Sequence, residues 1–210
     1  MYILWRLVLC AVLGVLIYIF IRKKVLKKVV RFLILMLPFI LVTVLFFIPF
    51  ENLFIDFDSP EKVYKYVNYG NKNIKVIVPG EKVDLVVGNK NNSDVYYTVP
   101  KNGDTWKIGV TLDTKIIDRK IEDDFVIMIH HYTKSNDYFV TVIDRYNKIK
   151  SISDSKQSDF ILPDDSNNSV NNTFATYYAN VRDFNELYWI NVDGEIITLD
   201  NKSVASMSQS

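Results

Sequence analysis

Residues 125–142 read FVIMIHHYTKSNDYFVTV, and this stretch decides what kind of domain the chain builds. Phe125, Ile127 and Ile129 interleave with Val126, Met128 and His130. A strand sends successive side chains to opposite faces, so this one is apolar on both and predicts a central place in a sheet. Ser135, Asn136 and Asp137 are turn formers, and Tyr138, Val140 and Val142 resume the period of two on the way back. The stretch reads as the middle hairpin of an antiparallel sheet.

The same period extends in both directions. Upstream, Ile74, Val76 and Val78 lead through Pro79-Gly80 into Val83, Leu85 and Val87, and Val95, Tyr97 and Val99 follow. Asn102-Gly103 is a two-residue hairpin signal that leads to Trp106, Ile108 and Val110, and Ile116-Ile117 opens a weaker strand. Downstream, a polar interval over 148–159 and a Ser/Asn-rich loop over 164–172 precede Ala175, Tyr177, Ala179 and Val181. Tyr188, Ile190 and Val192 then turn at Asp193-Gly194 into Ile196, Ile197 and Leu199. About nine or ten short strands at this spacing predict an antiparallel sheet or sandwich, long enough to fold without disulfides.

One short helix is predicted ahead of the strands. Ser59 can cap free amides, Pro60 suits the first helical position, and Glu61 complements the helix dipole. Val63, Tyr66 and Val67 share a face, and Asn68, Gly70 and Asn71 end the run. Residues 51–58 read as a linker, 59–200 as the β-rich domain, and 201–210 as a fraying tail.

The first fifty residues are of a different kind. The chain has 210 residues, 49% of them hydrophobic and 23% charged, with a formal net charge of +1. All 24 acids lie from Glu51 onward, and seven of the 25 basic residues lie before it. Eighteen basic residues therefore face 24 acids in the remainder, a formal −6 that argues against nucleic acid as a partner. Two apolar spans, over about 2–21 and 32–50, each match a hydrocarbon core of about 30 Å. Between them the loop 22–31 carries Arg22, Lys23, Lys24, Lys27, Lys28 and Arg31 and no acid.

Short basic loops stay on the cytoplasmic side. The expectation is thus a membrane helical hairpin, multi-pass in the cell membrane, with both termini and the mainly-β domain extracytoplasmic. The six cations serve either as that topology signal or as a membrane-surface stripe on an anionic inner leaflet. Cys10 is the only cysteine.

Chemistry is sparse. His130 and His131 are neighbours on a strand, point to opposite faces and cannot chelate one metal together. With no cysteine beyond residue 10, no metal and no cofactor is expected. Glu122-Asp123-Asp124 and Asp164-Asp165 lack calcium-loop spacing and read as solvated turn charges. No serine sits in a nucleophile elbow, although Ser, either His and Asp could still assemble a hydrolase site. Tyr96-Tyr97, Tyr177-Tyr178 and Tyr188-Trp189 are adjacent aromatic pairs, so on each strand one ring is expected to face outward. They are candidate partner-binding residues for sugars, peptides or a partner strand, with packing beneath a loop as the alternative.

Phe57-Asp58-Ser59-Pro60-Glu61 with the following Lys62 to Tyr66 resembles a segment of uncharacterised Gram-positive bacterial membrane-anchored proteins. In those a Phe-x-Ser/Thr-Pro-Glu helix start follows the anchor and precedes a β-rich region. Asp104-Thr105-Trp106-Lys107-Ile108 is similar to a Trp-Lys-Ile strand of such domains. The resemblance implies a bacterial cell-envelope setting and brings no catalytic residues. The functional expectation is a membrane-anchored binding, sensory or accessory module. Its expected partners are a lipid bilayer with an anionic inner leaflet and a membrane protein or cell-wall ligand. The alternatives are a cell-surface hydrolase and a small subunit of a membrane complex.

Overall fold

The computed structural model describes residues 2–22, 28, 30, 32–34, 36, 37, 40, 48–68, 73–90, 93–110, 114–163, 174–182, 184 and 188–199. Helix α1 spans Tyr2–Arg22, a 3-10 turn spans Phe50–Leu53, and α2 spans Pro60–Val67. The strands are β1 (Ile74–Val78), β2 (Val83–Lys90), β3 (Ser93–Asn102), β4 (Thr105–Trp106), β5 (Thr114–Ile121) and β6 (Phe125–Tyr132). They continue as β7 (Asp137–Asp144), β8 (Ile152–Asp154), β9 (Ala175–Arg182), β10 (Tyr188–Val192) and β11 (Glu195–Leu199).

The chain is mainly β, in three sheets ordered β1-β2-β3-β4, β5-β6-β7-β9 and β11-β10-β8. Among the described residues every strand pairing is antiparallel. Alternation along each strand dictates how the sheets stack. Val83, Leu85 and Val87 of β2 meet Phe139 and Tyr178 of the central sheet. Val86 points the other way, to Val63 and Tyr64 of α2. Ile127, Ile129, Val140 and Val142 leave the far face of the central sheet for Ile190, Ile197 and Leu199. The order of layers is therefore α2, first sheet, central sheet, third sheet. The two-faced apolar pattern of β6 has its cause here, because β6 lies between β5 and β7 with both faces covered.

Local chemistry explains the element ends. Ser59 is extended and its hydroxyl accepts from the Lys62 amide at 3.4 Å, with Pro60 opening α2. Val192 pairs with Glu195 across Asp193 and Gly194, both at positive φ (51° and 96°), as a type I′ hairpin needs. The other signalled hairpin shifts by one residue. Asn102 pairs with Thr105, so Gly103 (φ 61°) and Asp104 form the tip instead of Asn102-Gly103. Residues expected to be a linker are docked: Phe57 bridges Trp106 at the first sheet's edge, and Asn52 bonds both main-chain groups of Ile108.

The helical hairpin expected over 1–50 is corrected. Among the described residues no helix is long and apolar enough to cross a membrane. Near the start of α1 Arg6 is buried, 2% exposed, with its Nε 2.9 Å from Glu51 Oε1 and its Nη2 2.5 Å from Oε2. That end of the helix is held by a charged pair to the head of the β region. The second span, 32–50, lies largely outside the described residues. The multi-pass location with extracytoplasmic termini rested on the same two spans and is overturned with them.

Gly88 tests the seat of α2. A Cβ there would stand 1.9 Å from the Tyr64 hydroxyl and 2.5 Å from Cζ of the same ring. Gly88→Ala is expected to cost about 1–3 kcal/mol through overpacking, read from the urea midpoint. Adding Tyr64→Phe should recover part of the loss.

Candidate functional site

The aromatic pairs split between two faces, as alternation requires, but each face is covered by another layer. Tyr96 turns to the central sheet and stacks on His130, with ring centroids 4.7 Å apart. Burial, with Asp94 adding to it, pushes its hydroxyl up to about 12. Tyr97 turns to α2 and donates to the Gly109 carbonyl at 3.0 Å. Tyr178 is buried and donates to Asp94 Oδ2 at 3.3 Å, while Asp94 Oδ1 takes Lys75 Nζ at 2.5 Å. Tyr177 faces the third sheet and donates to the Ile149 carbonyl at 3.4 Å. Tyr188 is buried and donates to Asp154 Oδ2 at 2.6 Å. Burial is the leading cause that raises the hydroxyls of Tyr177, Tyr178 and Tyr188. Trp189 is half-buried beside Ser155, whose hydroxyl accepts its amide at 3.4 Å. Of the basic candidates, Arg22 and Lys28 are exposed, and Lys23, Lys24, Lys27 and Arg31 lie outside the described residues.

The histidines are separated by the sheet. His130 is 4% exposed and its Nε2 is buried without a hydrogen-bond partner. His131 Nε2 donates to the Ser135 carbonyl at 3.0 Å, and its ring stacks on Tyr138 at 4.2 Å. Among the described residues neither imidazole bonds a serine hydroxyl or a carboxylate. Among the described residues no three His, Cys, Asp or Glu side chains gather as a metal site.

Buried carboxylates do different work. Asp137, 1% exposed, opens β7 and accepts the amides of Glu81 (2.7 Å), Lys82 (2.8 Å) and Val83 (3.2 Å) from the turn between β1 and β2. Asp84 accepts Gly80 N at 3.1 Å and Trp106 Nε1 at 2.6 Å, and pairs with Lys101 Nζ at 2.8 Å. Asp144 and Asp154 bond main-chain amides two to five residues downstream. Such residues bend the chain by replacing the ladder partners its amides have lost.

Among the described residues an opening lies at the seam of the first and central sheets. It is a cleft of about 600 Å³ whose walls include Pro79 after β1, Lys156, Ser158 and Asp159 after β8, and Asn180 and Arg182 of β9. A smaller hollow of about 130 Å³ adjoins it through Arg182, with Glu81, Lys82, Asn136 and Asp137 as its walls. Arg182 Nη1 is 3.6 Å from Glu81 Oε2, and both side chains are mostly open to water. The cleft thus offers two cations, one carboxylate, one hydroxyl and two side-chain amides.

Sequence reading did not single out these residues. The alternation of Tyr177, Ala179 and Val181 puts Asn180 and Arg182 on the other face, and that much was legible. The approach of residues 156–161 to β9 was not. No family model, curated protein or solved structure matches the chain.

Burial of His130 has a solution signature. With no charge partner, desolvation lowers its pKa from 6.5 to about 4. The unfolded chain then binds the proton more readily between those values, so stability is full above pH 6.5 and lost progressively towards pH 4. Linkage puts that loss at roughly 3 kcal/mol. Urea midpoints measured across this range should fall for the native chain, and His130→Phe should remove most of that slope.

Proposed function

We propose that the chain is a non-catalytic binding module whose ligand occupies the cleft at the end of β9. The observation that carries the reading is the cleft of about 600 Å³, with Arg182 and Lys156 among the residues that line it. A volume of this size falls within the range of ordinary ligand sites, about 300–1,000 Å³. That neither imidazole meets a serine hydroxyl or a carboxylate among the described residues supports it over the hydrolase alternative, because general-base catalysis needs an imidazole within reach of its nucleophile.

The test is a titration of the isotope-labelled full chain, followed by amide shifts, with three probes of different chemistry. These are succinate, an N-acetylglucosamine trimer and the acetylated amide Thr-Val-Glu-Val-Thr. At least one should move the amides of Ser158, Asn180 and Arg182, and Arg182→Ala should weaken that probe at least tenfold. Silence of all three amides with every probe overturns the reading.

A second reading, one subunit of a larger protein complex, draws on α1. Val12, Val15, Leu16 and Ile19 follow the spacing of one helical face and are each at least half exposed. Contiguous open apolar surface of this kind marks interaction sites. Cross-linking in cells followed by mass analysis should recover adducts on α1; recovery of monomer alone removes this reading.

A further inference from the structure

The main-chain groups at the cleft have a direction, and that direction points to a ligand class. In an antiparallel pair successive residues aim their N–H and C=O alternately to one neighbour and the other. Tyr178 of β9 exchanges both bonds with Ile161, the Ile161 amide to its carbonyl at 2.7 Å and its own amide to the Ile161 carbonyl at 3.0 Å. The period of two then aims the main-chain groups of Asn180 and Arg182 the same way, away from β7 and into the cleft.

Continued pairing would set Asp159 opposite Asn180 and Gln157 opposite Arg182. It does not continue, because Asp154 draws the chain aside. Its Oδ1 accepts Lys156 N at 3.1 Å and Ser158 N at 2.8 Å, and its carbonyl accepts Gln157 N at 3.3 Å. Gln157 sits at φ 56°, a left-handed position that an extended strand cannot use. The single bridge at Ile161 therefore starts an edge strand that breaks off, and the cleft is the space left where it would have run.

Resting on the reading of this cleft as a ligand site, we infer that its ligand is an extended peptide carrying an acidic side chain, added as a short strand to the free edge of β9. The outward groups of Asn180 and Arg182 supply the ladder, and at about 3.3 Å per residue they span about three residues of ligand. Arg182 and Lys156, both exposed, line the cleft beside the single carboxylate of Asp159 and leave it with an excess of positive charge that suits an acidic side chain. Among the described residues no strand pairs with β9 at Asn180 and Arg182; unpaired edges of this kind are templates for strand addition, and this one is short and bounded by Ile161 on one side.

The experiment compares the fluorescein-labelled peptide Thr-Val-Glu-Val-Thr with a twin N-methylated at its three central residues, on the full chain. Methylation removes the donors of a strand and leaves the side chains. The parent should bind at least tenfold more tightly than the twin, and hydrogen exchange at Asn180 and Arg182 should slow on binding. Arg182→Pro, which deletes the outward amide as well as the guanidinium, should weaken the parent further than Arg182→Ala does; circular dichroism checks that both fold. Equal binding of parent and twin overturns strand addition. So does a cleft whose amides answer only succinate or the sugar trimer, and in either event the binding-module reading survives. A cleft that answers no probe ends both.

Discussion

The acid at the head of β7 is the contact on which the stacking of the first two sheets depends. Asp137 takes three consecutive amides from the turn between β1 and β2, so one side chain of the central sheet organises the sharpest bend of its neighbour. Hydrogen bonds to a carboxylate are roughly twice as strong as neutral ones, and these amides have no ladder partner within their own sheet. Loss of the acid would leave the buried Val83 amide without an acceptor, at about 1–3 kcal/mol, while water can reach those of Glu81 and Lys82. The geometry also leaves no room for a side chain at Gly80, where a Cβ would stand 2.1 Å from the Val83 carbonyl and 2.9 Å from Asp137. Register follows from this clamp. With the turn fixed, Val83, Leu85 and Val87 have only one face on which to meet Phe139 and Tyr178.

The seam so formed is unusually polar for a core layer. Lys75, Asp94, Tyr178 and Tyr96 form one bonded group there, while His130 Nε2 and Thr141 Oγ1 are left without partners. Each unpartnered atom costs about 1–3 kcal/mol, whereas each buried Val, Leu or Phe around it contributes about 1.5–3 kcal/mol. Seven buried apolar or aromatic side chains in this layer outweigh two orphans, so the seam holds. Where the seam runs out past β1, the turn built on Asp154 prevents the chain from closing it. The cleft lies where this turn, with Lys156 and Ser158 amides on the Asp154 carboxylate and the Gln157 amide on its carbonyl, leads the chain away from β9.

Much of the β architecture was legible because burial on two faces leaves a mark in composition. β6 and β9 show it directly, and the Ser59 cap and the Asp193-Gly194 hairpin follow from local geometry alone. Exposure was harder to read. Adjacent tyrosines were expected to present one ring outward, which holds for a sheet with one covered face and not for a sheet between two others. The apolar spans of the first fifty residues read as membrane helices by length, but hydropathy does not register that Arg6 pairs with Glu51, a contact across 45 residues. The hairpin signal at Asn102-Gly103 slipped by one, because the bridge of Trp106 to Phe57 fixes β4 from its other side.

The amino-acid order by itself determined the strand periods, the turn positions and the acidic balance of the β region, since these depend on neighbours within a few residues. Only the tertiary structure decided which carboxylates became turn supports, which rings were enclosed, and that Asn180 and Arg182 line an opening with residues 156–159. Those outcomes depend on contacts between strands far apart in the chain, and a period of two says which way a side chain points without saying what waits there.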